Sequence, residues 1–102
     1  MSSQQESFAG DIYRINNPES LVTASHEDLA TFMALNARQM KQAVRDMYRR
    51  LESEGRLFNL QPGARVKVVE YYDDGIARIE WGGGEHTGYI AKDDLSSYLG
   101  SD

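Results

Sequence analysis

The chain has 102 residues, 40% of them hydrophobic and 26% charged, which is enough for one core and fits an ordinary folded domain. It carries a formal charge of −5 and no cysteine, which excludes a disulfide framework, a thiolate metal cage and a thiol nucleophile. The opening MSSQQESFAGD has neither a basic start nor an apolar core, and no stretch approaches the roughly 18 apolar residues that cross a bilayer. A cytoplasmic protein with no membrane contact is therefore expected.

In chain order, residues 1–11 are polar and small and read as a flexible leader. Ile12, Tyr13, Ile15, Leu21 and Val22 are too apolar for a free tail, and Asn16-Asn17-Pro18 marks a turn between two short extended pieces. Residues 12–24 thus read as an arm, docked either on the rest of the chain or on a partner.

Ser25 followed by Glu27 and Asp28 is a helix start, and Gly55 is a stop. Between them Leu29, Phe32, Met33, Met40, Ala43, Val44, Met47 and Leu51 fall within an arc of about 120° at about 100° per residue, with Asn36 in its middle. One amphipathic helix over 25–55 is predicted, on the order of 43 Å long at about 1.5 Å per residue. That exceeds the width of a small barrel, so part of the stripe needs another partner. Met33, Met40 and Met47 recur every seven residues as in helix-pairing seams, where Asn36 could set register.

From Gly55 the periodicity becomes alternating. RLFNL, ARVKVVEYY, IARIEW, EHTGYIA and SSYL read as strands, separated by Gln61-Pro62-Gly63, Asp73-Asp74-Gly75, Gly82-Gly83-Gly84 and a short helical turn at Asp93-Asp94-Leu95. Four or five strands in about 45 residues hide their edges best by closing.

The run LQPGARVKVVEYYDDGIARIEWGGGEHTGYIAKDDL resembles the bacterial Src-homology-3-type domains at Gly63, Val66, Val68, Asp74, Gly75, Ile79, Gly88, Tyr89, Ile90 and Leu95. The family's Arg-Ser-Gly-Pro opening strand is missing, and the matched positions are turns and core, which bear on fold more than on function. The resemblance implies a five-stranded antiparallel barrel of that type over 56–102, so that with the leader and arm over 1–24 and the long helix over 25–55 the chain is expected to be α+β. It also implies a peptide or cell-wall ligand held by aromatics beside the loops, here Tyr71 or Tyr72, Trp81 and Tyr89. Trp81 shares its strand face with Ala77 and Ile79, which equally suits a core residue.

No catalytic constellation emerges. His26 and His86 lack metal-ligand spacing, the serines have no nucleophile context, and the acid pairs at 73–74 and 93–94 are explained by turn chemistry. The triple glycine lacks the lysine and helix of a phosphate loop. No enzyme, cofactor or metal is expected.

Charge is segregated. Residues 30–51 carry Arg38, Lys41, Arg45, Arg49 and Arg50 against Asp46, a local +4, whereas 66–102 sum to −5. Arg38, Lys41, Arg45 and Arg49 recur every three or four residues, opposite the apolar arc. They form either a solvated face or a stripe for an anionic partner. The expected function is a non-catalytic interaction module, adaptor or accessory subunit. It would bind another protein or a second copy of itself through Met33, Asn36, Met40, Met47, Tyr72, Trp81 and Tyr89. Two alternatives are a nucleic-acid-binding regulator using the basic stripe, which the pI near 4.9 disfavours, and a small inhibitor of a larger machine.

Overall fold

A computed structural model describes residues 10–15, 20–95 and 97–101. The leader expected over 1–11 lies almost wholly outside the described residues. The strands are β1 (Asp11–Ile15), β2 (Val22–Thr23), β3 (Leu57–Phe58), β4 (Ala64–Tyr71), β5 (Ile76–Trp81), β6 (His86–Ala91) and β7 (Ser97–Ser101). The helices α1 (His26–Ala37) and α2 (Lys41–Ser53) lie between β2 and β3.

All strand pairs are antiparallel and form one seven-stranded sheet in the order β3-β2-β6-β5-β4-β1-β7. This corrects the expectation of a closed five-stranded barrel. The arm supplies two further strands: β1 inserts between β4 and β7, and β2 between β6 and β3. No ladder among the described residues joins β3 to β7, so the sheet is open. Closure fails at β3, where Arg56-Leu57-Phe58-Asn59-Leu60 contributes only a two-residue strand before Gln61-Pro62-Gly63 turns the chain.

Alternation holds along β4, whereas β5 begins with two consecutive buried residues, Ile76 and Ala77. Val66 and Val68 of β4, Ala77 and Ile79 of β5 and Ile90 of β6 are buried, and Ile15 of β1 and Val22 of β2 complete the same core. Cross-strand pairs Val68↔Ile79 and Ala77↔Ile90 tie its centre. The arm is thus part of the sheet, because Ile15 and Val22 bury as deeply as the central strands do.

The single long helix is likewise corrected to two. At Ala37 the first helix ends in a Schellman motif: the Met40 N–H donates to Leu35 C=O (3.1 Å) and the Gln39 N–H to Asn36 C=O (3.0 Å). Gln39 takes φ 57°, the left-handed conformation that turns the chain out of the first helix. Gln39 is the only non-glycine residue with positive φ among those described. α2 then starts with Met40 as its N-cap, without a side-chain cap. Ser25 caps α1 as predicted, its Oγ accepting from the Asp28 N–H at 3.3 Å.

Candidate docking surface

The two helices form a hairpin whose arms are held unequally. α1 packs on β2, β5 and β6, with Leu29 buried; the substantial packing partner of α2 is α1. Met47 and Leu51 bury the inner face of α2, while Ala43 and Val44 are half-covered. The hairpin's open end is fastened by Arg56, just past α2, whose Nε donates to Asp28 Oδ2 at 3.0 Å while Nη2 meets both oxygens of the same carboxylate. Asp28 is buried in the first turn of α1, so this planar fork replaces the water it has lost. The carboxylates of Asp28 and then Glu54 raise the Arg56 pKa.

The outer face of α2 is basic. Arg38, Lys41, Arg45 and Arg49 are all exposed, and none is ion-paired among the described residues. At about 100° per residue, Lys41, Arg45 and Arg49 share about 80° of arc, and Tyr48 stands on the side of that arc nearer Val44. Tyr48 is 39% exposed and Met40 45%. Arg38 precedes the break and so is not on the same helix as the other three cations.

The break also dissolves the methionine seam. Met33 is half-buried on α1, Met40 lies exposed at the junction and Met47 is buried on α2, so their seven-residue spacing does not describe one face. Met33 and Asn36, with Leu21, Leu29, Phe32 and Asp94, instead line an open groove of about 350 Å³ beside α1. Burial, then repulsion by Asp93, raises the Asp94 pKa.

The aromatics expected to bind a ligand fall in two places. Trp81 stacks on His86 (5.5 Å between centroids), meets Phe58 edge-on (5.1 Å) and covers Gly88, which makes it a packing residue. Tyr72 and Tyr89 approach to 6.2 Å, but His26, the first residue of α1, packs against both at 4.7 and 5.8 Å. Its Nε2 lies 2.9 Å from Asp74 Oδ2, close enough to pair although not aligned as a hydrogen-bond donor. The Tyr72 hydroxyl donates to Glu70 Oε1 at 3.1 Å; burial and then this bond raise its pKa.

Sequence reasoning missed two polar arrangements. One is the role of His26, which joins α1 to the β4–β5 turn. The other surrounds Tyr71, whose hydroxyl lies 3.3 Å from Asp11 Oδ2 and 3.4 Å from the Tyr13 hydroxyl, with Lys92 Nζ 5.5 Å from its ring centroid. Each links residues up to 60 positions apart, which no local spacing reveals. Among the described residues no cluster of three or more His, Cys, Asp or Glu could hold a metal, and no helix is long and apolar enough to cross a membrane.

No family model, curated protein or solved structure matches the chain.

Proposed function

We propose that the chain is a non-catalytic protein-binding module that docks through α2. One observation carries this reading: α2 is held to the molecule by its inner face, yet its outer face presents three aligned cations beside an exposed tyrosine. Exposed tyrosine and arginine together have the composition of binding hot spots, since both add contact area and directional bonds. A solvated helix face needs no Tyr48 at that position. The groove beside α1, with half-buried Phe32 and Met33, extends the apolar surface available to a partner.

Site-specific photo-crosslinking tests it. A benzoylphenylalanine at position 48, in the full chain inside cells, is expected to give a discrete protein adduct that disappears when Arg45→Glu and Arg49→Glu are added. The same group at the exposed position 98 serves as the control. Identical adducts at 48 and 98, or adducts indifferent to charge reversal, would refute docking through α2.

A further inference from the structure

The docking surface also carries information about what it fits. Resting on the reading of α2 as the docking element, we infer that the occupant is an acidic, partly apolar polypeptide segment, not a nucleic acid. Lys41, Arg45 and Arg49 are four residues apart, so their Cα atoms step about 6 Å along the axis and the row spans about 12 Å. Glu52 ends the row one turn later, and Asp46 flanks it. The cationic strip on α2 is therefore short, with one acid at its C-terminal end and another on one flank, and it matches two or three carboxylates. A phosphate backbone continues past such a strip and gains affinity from each phosphate neutralised.

The remainder of the molecule sharpens this choice. With +4 over residues 30–51 and −5 overall, the rest of the chain sums to −9, carried by residues 1–29 and 66–102, while 52–65 are neutral. Glu70, Asp73, Asp74, Glu85 and Asp93 are exposed. A long polyanion lying on α2 meets that field as it leaves the helix, whereas a short acidic segment feels mainly the local row. The second half of the signature is apolar. Tyr48 borders the row on the side of Val44, and Met40 lies at its N-terminal end, exposed like Tyr48. A segment with acids on one side and aliphatic or aromatic side chains on the other satisfies both parts at once. Phosphates satisfy only the first. The β7 end of the described sheet is a weaker docking candidate, because a register shift at Ile12/Tyr13 and Gly100 at φ 120° distort that strand.

The test is fluorescence anisotropy on the full chain with two labelled probes: a 16-residue amphipathic peptide of Glu and Leu, and a 20-base-pair duplex DNA. The peptide is expected to bind at least 10-fold more tightly than the duplex. Arg45→Glu with Arg49→Glu should weaken it at least 10-fold, and Tyr48→Ala severalfold with little change in salt dependence. Circular dichroism of each variant, expected to match the unaltered chain, shows that it folds. Duplex binding as tight as peptide binding, peptide binding indifferent to charge reversal, or no peptide binding at all would each overturn the inference. If peptide binding fails while the position-48 protein adduct persists, the docking reading stands and only the partner's chemistry is wrong.

Discussion

Gln39 and Gly55 hold the same position in the same motif: each is the left-handed residue of a Schellman ending, at φ 57° and φ 70°, and each is followed by a residue whose N–H reaches back five positions. Glycine takes that conformation freely, whereas a side chain at Gln39 strains it. Gln39→Gly is therefore expected to stabilise the fold by about 0.5–1 kcal/mol, and Gly55→Ala to destabilise it by about 1 kcal/mol, in urea unfolding. A loss of stability with Gln39→Gly, or no loss with Gly55→Ala, would contradict the shared geometry.

Burial along α2 makes a second, sharper contrast. Leu51 is fully buried, so Leu51→Ala should lower stability by about 2–5 kcal/mol through lost contacts and a residual cavity. Met40 lies open at the helix junction, and Met40→Ser should change stability by less than about 0.5 kcal/mol. Thermal melts of the two variants decide it, and a large loss at Met40 would mean that the seam is covered after all.

At Gly88 an added Cβ would lie 2.8 Å from Val22 Cγ1, 3.1 Å from the Thr23 carbonyl oxygen and 3.1 Å from the Trp81 ring. Relief requires both the buried Val22 side chain and the β2 backbone at Thr23 to shift. Gly88→Ala should cost about 1–3 kcal/mol. It should also alter the fluorescence of Trp81, the only tryptophan. An unchanged emission spectrum and unfolding midpoint would rule out the close approach of β2 to β6.

Stability should fall at high pH through Tyr71. Burial first, then the Tyr13 and Asp11 contacts, hold its hydroxyl well above the ordinary tyrosine value of about 10. As pH rises past that ordinary value, the unfolded chain releases this proton while the folded chain keeps it. The unfolded state then binds fewer protons, so stability present below about pH 10 is lost progressively above it. Tyr72 is shifted the same way, so Tyr71→Phe should reduce this alkaline loss without abolishing it. Denaturation midpoints between pH 8 and 11.5 measure it, and identical slopes in both proteins would dismiss the effect.

Local chemistry was legible wherever a residue's preference depends on its immediate neighbours. Ser25 caps, Gly55 stops, Gly75 turns the β4–β5 hairpin, and alternation identifies Val66 and Val68 of β4 and Ala77 and Ile79 of β5 as buried, though not Ile76. The break at Gln39 was invisible because no glycine or proline marks it, and the apolar spacing of 29–51 continues across it as though the helix did. The methionine seam was read from that continuity and disappears with it. On the surface, the cationic row was visible as a spacing, but that none of its members is ion-paired among the described residues was not.

What the sequence by itself determined is where helix begins at Ser25 and ends at Gly55, though not the break between, and where the strands β4, β5 and β6 lie, since capping, turns and alternation act over a few residues. Only the tertiary structure decided that Asp11–Ile15 and Val22–Thr23 join the sheet, that the sheet stays open, and that α2 stands on α1 with its basic face outward. Those outcomes depend on pairings such as Asp28 with Arg56 and Ile12 with Lys67, between residues 28 and 55 positions apart. Such pairings form only where burial of distant apolar side chains outweighs the entropy of bringing them together.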